Sequence, residues 1–353
     1  MSRRILLVGG AGYVGSVLTH ELLERGYAVR ILDRLYFGDI GLRDHRDRVD
    51  LVVGDMRTLT SDVLKDVEAV INVGGLSNDP TAEYNPQANY EMNTLAARRL
   101  ADLCVANGVR RYILASSCSI YDRGVGDEVR DVLLDEGADV DPQAAYSSSK
   151  REAEKLLLDM ADDNFCPVIL RKGTVYGFSP RMRYDLVVNT FVKDALSKGY
   201  VTIHYGGEMW RPLVEVRDVA RAYIACLRAD EEKVKEQIFN ISFSNFRISE
   251  VALRVRETFR SLGYDIDIRS DYGYRGVRSY RVSSAEIQRV LGFRPKVTIE
   301  ESVQYMVEQI RAYGYDDFSN PRYHNIQWMR LLEEAQRVIA VTGSVFEAPQ
   351  AKE

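Results

Sequence analysis

Residues 4–15 read RILLVGGAGYVG, a short apolar run that passes directly into a glycine-rich turn. The apolar run predicts a buried strand, and the pattern from Val14 onward predicts a helix. Gly9, Gly12 and Gly15 therefore form GxxGxxG between a strand and a helix, where bare backbone lets a pyrophosphate approach. Unpaired N–H groups and the positive end of the helix dipole bind such an anion without a basic side chain. A glycine-rich turn with no ligand is the alternative interpretation.

Strand and helix patterns alternate through the first half of the chain, which predicts a doubly wound, Rossmann-type parallel sheet of the α/β class. The predicted strands span residues 4–8, 28–32, 51–53, 69–73, 111–115 and 167–170. The predicted helices between them span residues 14–24, 88–107 and 146–160.

After about residue 175 this alternation loosens, which predicts a smaller lobe with helices at 185–197 and 248–261 and a strand at 237–241. We expect residues 1–175, with returning segments near 210–245, to form the dinucleotide-binding domain. Residues 176–315 then form mainly a substrate-binding lobe. Residues 316–353, with a helix at 328–338, form a peripheral helical tail.

The bulk composition narrows the class of protein. With 353 residues, 46% of them apolar, the chain buries a large core. A net charge of -5 with no polybasic run argues against nucleic acid or acidic membrane surfaces as partners. No apolar segment is long enough to span a membrane, and the four cysteines are widely spaced, which argues against disulfides or a metal site. We therefore expect a cytoplasmic protein with reduced thiols and no metal.

Asp33 stands at the end of the second predicted strand, 18 residues after Gly15. A carboxylate at this place accepts hydrogen bonds from the adenosine ribose hydroxyls, which favours NAD over NADP as the cofactor. The neighbouring Arg34 leaves NADP open as an alternative. The next two strands end in further candidate cofactor-binding residues, although ordinary turn chemistry also accounts for them. These are Asp55, Met56, Val73, Gly74, Gly75 and Leu76.

Three polar groups are expected at the crevice beside the fifth strand. That strand runs into Ser116 and Ser117, and Tyr146 and Lys150 follow at i, i+4 in a predicted helix. The ammonium of Lys150 is expected to lower the pKa of the phenol. Tyr146 then removes a substrate hydroxyl proton while a hydride leaves for NAD, and Ser117 hydrogen-bonds the same substrate oxygen. The alternative is a turn serine and a tyrosine on a helix face.

Taken together, GGAGYVG, Asp33, SSCSIYD and YSSSK resemble the extended short-chain dehydrogenase/reductases, in the nucleotide-sugar epimerase/dehydratase branch of the UDP-glucose 4-epimerase type. The resemblance covers roughly residues 3 to 312. It implies NAD, a nucleoside-diphosphate sugar held between the two lobes, and a homodimer formed through a four-helix interface. The helices near 88–107 and 147–160 would form that interface, unless their apolar faces belong to the intramolecular core.

The resemblance also assigns residues to the site. Lys150 would hold cofactor ribose hydroxyls, and the further cofactor-binding residues would be Tyr13, Val14, Asn93, Ser116, Tyr146 and Val175. The residues near the nucleotide sugar would be Ser77, Thr174, Asn189, Arg211 and Arg275 or Arg278. Guanidinium forks suit phosphate oxygens, although each arginine is otherwise a surface charge.

Departures from the family pattern decide which reaction is expected. Dehydratases of this family place an acidic pair after the serine or threonine, and decarboxylases keep a glutamate, whereas this chain has Cys118 and Ser119. The predicted function is therefore a nucleotide-sugar epimerase that works through a transient 4-keto sugar. A C4 dehydrogenase or ketoreductase is the alternative, and a 4,6-dehydratase or a non-catalytic NAD-binding protein is less favoured. Cys118 is expected to be a buried structural thiol. Asp122 and Glu215 replace a frequent glycine and histidine, which leaves the sugar open.

Overall fold

The computed structural model describes residues 4–122, 132–273 and 278–343. The strands are β1 (Arg4–Val8), β2 (Ala28–Asp33), β3 (Asp50–Val53), β4 (Val67–Asn72), β5 (Arg111–Ser117), β6 (Leu133–Leu134), β7 (Cys166–Lys172), β8 (Thr174–Tyr176), β9 (Tyr200–His204), β10 (Trp210–Glu215), β11 (Ile238–Ile241), β12 (Ser244–Arg247), β13 (Asp267–Asp271) and β14 (Arg281–Val282). The α-helices are α1 (Tyr13–Leu23), α2 (Asp79–Tyr84), α3 (Pro86–Tyr90), α4 (Ala96–Ala106), α5 (Ala145–Leu158), α6 (Val187–Lys198), α7 (Val216–Arg228), α8 (Glu231–Val234), α9 (Ile248–Ser261), α10 (Ala285–Leu291), α11 (Ile299–Tyr313) and α12 (Asn325–Thr342).

Seven parallel strands form the central sheet, in the order β11-β7-β5-β4-β1-β2-β3. The chain runs outward in both directions from β1, so the strand order reverses between β1 and β4. In such a sheet the ligand crevice lies at this switch point, outside the carboxyl ends of the strands. The predicted doubly wound, Rossmann-type fold is confirmed.

Both faces of the central sheet are covered, which explains why its strands read as almost continuous apolar runs. Leu6, Val70 and Leu114 belong to a core cluster that includes residues of α4 and α5. Their neighbours along the strands, among them Leu7 and Ile71, belong to a second cluster that includes residues of α1 and α7. The alternation of side chains along each strand thus divides the core between the two helix layers.

A second lobe surrounds the smaller sheet β12-β10-β8, in which β10 is antiparallel to β12 and parallel to β8. Residues of α6, α9 and α11 form the third core cluster there. Of the segments expected to return near 210–245, β11 joins the central sheet and α7 covers it, while β10 lies in the smaller sheet.

The helix predicted at 88–107 is not continuous. Pro86–Tyr90 forms α3, residues 91–95 form a turn of π-helix, and α4 begins only at Ala96. A π-turn adds one residue to a helical turn and often lies at a functional site. Periodicity did not indicate it, because one extra residue leaves the apolar pattern nearly intact.

The C-terminal region departs from the expected peripheral tail. The predicted helix 328–338 lies within α12, but α12 begins at Asn325, which is 5% exposed, and residues 335–342 of the helix are all exposed. Within the described part of the chain, none of the helices combines the length and apolar character needed to cross a membrane.

Candidate dinucleotide and catalytic site

A cleft with about 950 Å³ of empty space lies at the carboxyl ends of β1 to β4. Most of the predicted cofactor-binding residues line it: Gly9, Gly12, Tyr13, Val14, Gly15, Asp33, Asp55, Met56, Val73, Gly74 and Gly75. Ser77, predicted to bind substrate, lines it as well. Residues that the sequence did not indicate complete the walls, among them Tyr36, Phe37, Arg57, Arg181, Arg183 and Asn325.

The glycine turn is shaped by close approach of backbone to backbone. A Cβ on Gly15 would stand 1.9 Å from the Gly9 carbonyl oxygen, and a Cβ on Gly9 would stand 2.8 Å from the Gly74 Cα. Gly9 also has a φ of 79°, which side chains disfavour. Gly12 caps α1 without a side-chain hydrogen bond, so the first amides of that helix stay available. This open helix N-terminus beside bare glycine backbone fits a dinucleotide pyrophosphate.

A Gly15→Ala variant should bind NAD at least about tenfold more weakly, because the turn must open to admit the methyl group. The same overpacking should lower the free energy of unfolding by roughly 1–3 kcal/mol. Gly137→Ala is the control, since only the Asp135 carboxylate lies within 4 Å of its added Cβ. NAD titration calorimetry and urea unfolding of both variants measure the two effects. Wild-type NAD affinity in Gly15→Ala would contradict this account of the turn.

Asp33 is held in place by backbone amides. Its two carboxylate oxygens accept hydrogen bonds from the amides of Ala11 at 3.0 Å and Leu35 at 2.8 Å. Burial raises the pKa of this carboxyl group. The guanidinium of Arg34, which left NADP open, lies 2.8 Å from the Asp55 carboxylate. Its charge is therefore engaged by Asp55, which removes the main argument for a 2′-phosphate.

Asn93 lies on the π-turn opposite the cleft wall at Gly75. Its amide nitrogen donates to the Leu76 carbonyl at 3.0 Å and to Asn89 at 2.7 Å. A Cβ on Gly75 would lie 2.0 Å from the Asn93 Oδ1, and this buried oxygen has no hydrogen-bond partner among the described residues. Directly behind Gly75, which lines the cleft, the structure therefore contains an unused acceptor on a residue that the sequence assigned to the cofactor.

Ser117, Tyr146 and Lys150 come together as predicted. Ser117 ends β5, Tyr146 stands in the first turn of α5, and the Lys150 Nζ lies 5.9 Å from the centre of the Tyr146 ring. Ser117 stands close enough to the Tyr146 phenol to lower its pKa, and the Ser117 Oγ accepts from the Ser119 amide at 3.1 Å. The arrangement can take a proton from, and return it to, an oxygen placed beside the phenol.

In the protein by itself the pKa of Tyr146 lies above its ordinary value, so the lowered pKa expected from Lys150 is not present. Burial, and then the charge of Asp79, raise the pKa of Tyr146 to about 12, against lowering contributions from Arg183, Ser117 and Arg278. Burial likewise lowers the pKa of Lys150 to about 8, although Glu154 opposes this. Lys150 is 4% exposed and Tyr146 is partly buried, so desolvation penalises the ammonium and the phenolate alike.

A buried ion pair fixes α5 against β7. Arg171 and Glu154 are 1% and 0% exposed and form two parallel hydrogen bonds, Nε to Oε1 at 2.9 Å and Nη2 to Oε2 at 2.7 Å. The Ser116 hydroxyl donates to the same carboxylate at 2.5 Å. Glu154 lies one turn beyond Lys150 on α5. The pair therefore sets where the helix that carries Tyr146 stands relative to the end of β5.

Lys172 is a second amine at the site, partly buried, and the sequence analysis missed it. It ends β7 in register with Ser117, and its Nζ donates to the Ser116 carbonyl at 3.1 Å. Burial, and then the charge of Lys150, lower the pKa of Lys172 to about 7. The signal available in the sequence was a lysine at the end of the strand that follows the helix of Tyr146.

Replacing this amine should change how stability depends on pH. The pKa of Lys172 is about 7 in the folded protein and 10.5 ordinarily, so the unfolded chain binds more protons between these values. The contribution of Lys172 to the free energy of unfolding of the wild type therefore rises with pH between about 7 and 10.5. Lys172→Met should be more stable than wild type by roughly 1–3 kcal/mol at pH 7, with the gain shrinking towards pH 10. Urea unfolding at several pH values measures it, and parallel pH slopes for the two proteins would contradict it.

Of the other residues predicted for the substrate, Arg211 and Arg278 lie together. The Arg278 guanidinium lies 2.6 Å from both the Asp79 and the Asp122 carboxylates. The Arg211 side chain donates to the Trp210 carbonyl at 2.9 Å and to the carbonyl of Arg278. The structure thus groups two arginines with two acidic residues. Of these acidic residues the sequence analysis had considered only Asp122, as a departure from the family pattern. Arg275 lies outside the described residues.

Asn189, by contrast, is fully buried and uses its amide within the protein. It accepts from the Gly177 amide at 2.9 Å and donates to the Arg183 carbonyl at 2.8 Å and the Tyr13 hydroxyl at 3.1 Å. Thr174 and Val175 lie on β8, paired with β10. Contact of any of these residues with substrate or cofactor stays a prediction.

Comparison with known proteins agrees with this geometry. Residues 5–242 match the model of the NAD dependent epimerase/dehydratase family. A UDP-N-acetyl-alpha-D-glucosaminuronate decarboxylase of Bacillus cytotoxicus is 23% identical, over 90% of this chain and all of its own. The solved protein MoeE5, in complex with UDP-glucuronic acid and NAD, is 27% identical with a TM-score of 0.73, over 88% of this chain and 99% of its own. The UDP-glucose 4-epimerase of Thermotoga maritima, at 24% identity, shares the fold with a TM-score of 0.77, over the same shares of the two chains.

Proposed function

The chain belongs to the NAD-dependent epimerase/dehydratase family, and from this premise we propose that it epimerises a nucleoside-diphosphate sugar at C4 through a transient 4-keto sugar. The cofactor of the enzyme is NAD. Relatives that act on or bind nucleotide sugars support the substrate class.

When bound, NAD takes up and returns a hydride, and its oxidised ring brings a positive charge to the crevice. The chain supplies the proton chemistry. Tyr146 takes the proton of the sugar C4 hydroxyl as the C4 hydride departs, and Ser117 hydrogen-bonds the C4 oxygen while it becomes a carbonyl. The 4-keto sugar then rotates in the site, so that the hydride returns to the opposite face of C4. Tyr146 gives the proton back to the C4 oxygen. Lys150 favours the phenolate when protonated, and in this proposal it also holds ribose hydroxyls.

The two residues after Ser117 are the observation that favours epimerisation over elimination of water or loss of CO₂. Cys118 is fully buried and its thiol donates to the Arg171 carbonyl at 3.1 Å. Burial raises the pKa of this thiol, so it is a poor proton carrier. Ser119 has no acidic group either. With neither side chain able to act as an acid or base at neutral pH, hydride removal and return is the chemistry that the site supports best.

One observation favours a second candidate among the reactions of this family. Asp79 acts electrostatically on the Tyr146 phenol, and a carboxylate at that place can serve as a general base for elimination or help in decarboxylation. In the structure, however, this carboxylate is paired with Arg278 at 2.6 Å. We therefore keep dehydration and decarboxylation as outcomes of the test, together with a C4 dehydrogenase or ketoreductase, which would use the same three residues.

The test is incubation of the purified protein, with its bound cofactor, with UDP-glucose, UDP-N-acetylglucosamine, UDP-glucuronic acid and dTDP-glucose in turn. Mass spectrometry and proton NMR identify the products, and absorbance at about 340 nm follows NADH. We expect one substrate to reach equilibrium with its C4 epimer at unchanged mass and without NADH accumulation. Loss of water, loss of CO₂ or stoichiometric NADH in place of an epimer would overturn the proposal in favour of the corresponding reaction.

Assembly and location are proposed on separate observations. We propose a homodimer through α4 and α5 with the turns before them, because Tyr90, Leu95 and Val105 are exposed there. Much of the apolar surface of α4 and α5 is already used in the core of one chain, however. Light scattering at micromolar concentration tests this, and a monomer would refute it. We propose the cytoplasm as location, since the cysteines are free and buried.

A further inference from the structure

The segment that follows α11 crosses from the small lobe to the dinucleotide cleft. We call residues 316–342 the C-terminal strap. Tyr184, 1% exposed, anchors its start, since the Tyr184 amide donates to the Tyr323 carbonyl at 2.8 Å and its ring meets Phe318 and Tyr323 edge-on. The strap therefore has a fixed origin in the lobe opposite the central sheet.

Asn325 brings the strap into the cleft itself. Its Oδ1 accepts a hydrogen bond from the Arg181 guanidinium at 2.6 Å, and its Nδ2 donates to the Ser77 hydroxyl at 2.9 Å. Its backbone amide donates to the Asp185 carboxylate at 3.2 Å. Ser77 follows β4, whereas Arg181 belongs to the segment after β8. One side chain of the strap thus joins the two walls of the cleft.

Trp328 makes the second attachment, at the end of the cleft where β2 stops. Its indole N–H donates to the Tyr36 carbonyl at 2.5 Å. Tyr36 lines the cleft three residues after Asp33, and the Arg34 guanidinium stacks on its ring at 4.2 Å. The strap therefore also lies beside the loop expected to surround the adenosine.

Arg181 is the residue of the cleft wall that the strap positions, through Asn325. Its side chain is buried and stacks on the Phe37 ring at 3.6 Å, and burial and the neighbouring Arg183 lower its pKa. Its Nε–H has no hydrogen-bond partner within the described ranges. An unpaired donor on a buried cation is costly, and a phosphate oxygen is a partner that satisfies it.

We propose that the C-terminal strap is a clasp of the dinucleotide site, in which Asn325 holds Arg181 toward a phosphate of NAD and must let go of Ser77 before the cofactor can leave. Asn325 and Trp328 are accordingly positioning residues that slow cofactor exchange. Slow exchange suits a reaction that regenerates its own NAD in each cycle. The proposal itself needs only cofactor binding and not epimerisation, so the two succeed or fail separately.

The test is the dissociation rate of NADH from the full-length protein. Protein loaded with NADH is mixed with excess NAD in a stopped-flow instrument, and the loss of bound-NADH fluorescence gives the rate. Asn325→Ala should raise the rate at least about tenfold, the equivalent of one lost hydrogen bond to a charged group. Trp328→Phe, which keeps an aromatic ring and removes the donor, should raise it about threefold or more. Gln327→Ala, exposed on the same helix, should leave it unchanged.

A purely structural role would lower the melting temperature of the variants and leave the dissociation rate as it is. Dissociation of NADH from Asn325→Ala and Trp328→Phe at wild-type rates would therefore overturn the proposal. Should Asn325→Ala fail to fold, Trp328→Phe decides alone. Because the readout is fluorescence of bound cofactor, the result is independent of which sugar the enzyme accepts.

Discussion

Replacing Tyr146 by phenylalanine should reduce kcat by about 10³-fold, within the range that positioned acid–base groups contribute. The variant loses only the hydroxyl that exchanges a proton with the sugar oxygen, while the aromatic ring continues to fill its partly buried place beside Lys150. Binding of NAD and the melting temperature should therefore stay close to those of the wild type. Steady-state kinetics on the substrate identified above, with KM determined separately, measure the effect.

The matched control for this variant is Tyr205→Phe, because Tyr205 is 42% exposed directly after β9 and is not among the residues that line the cleft. It should retain the wild-type kcat. The site as described would be refuted by a Tyr146→Phe enzyme that turns over within about threefold of wild type, since a positioned base is worth far more than that. A raised KM with unchanged kcat would assign the phenol to binding alone.

The second large effect concerns stability. Glu154→Ala should lower the free energy of unfolding by about 3–5 kcal/mol, because it leaves the guanidinium of Arg171 buried without its partner. Arg171 is 1% exposed, so water cannot replace the lost carboxylate. The Ser116 hydroxyl loses an acceptor as well. Urea unfolding measures the change, and Lys155→Ala, exposed on the same helix, provides the control.

A double-mutant cycle separates the ion pair from general damage to the core. Arg171→Met and Glu154→Ala combined should destabilise the protein by clearly less than the sum of the two single changes, since the second removes a charge that the first has already orphaned. We expect a coupling of at least about 1–2 kcal/mol. Strict additivity would show that the pair contributes nothing beyond two independent contacts.

Much of the fold could be predicted because it is encoded locally. The strands of the central sheet are apolar runs bounded by turn residues. The glycine turn at Gly9 to Gly15 predicts both the first helix and a dinucleotide bound at its N-terminus. Ser117 could be expected beside Tyr146 because the carboxyl ends of the parallel strands meet at one edge of the sheet, where helix α5 begins. Fold class, family and cofactor were therefore within reach of the sequence, and each is confirmed.

What could not be predicted depends on contacts between distant parts of the chain. Asn325 meets Ser77 across 248 positions, and the ion pairs of Arg278 reach Asp79 and Asp122, which follow β4 and β5. No periodicity reports such contacts. The error over the pKa of Tyr146 has a related origin: the spacing to Lys150 is local, but the burial and the charge of Asp79 that outweigh it come from tertiary structure.

The central claim, that one hydride leaves C4 and returns to the same carbon, is tested most directly with a nucleotide sugar that carries deuterium at C4, incubated in ordinary water. The account predicts that the C4 epimer forms with the deuterium retained at C4 and that no hydrogen from solvent enters the sugar. Loss of the deuterium to water, or its appearance in released NADH, would contradict a closed cycle of hydride removal and return.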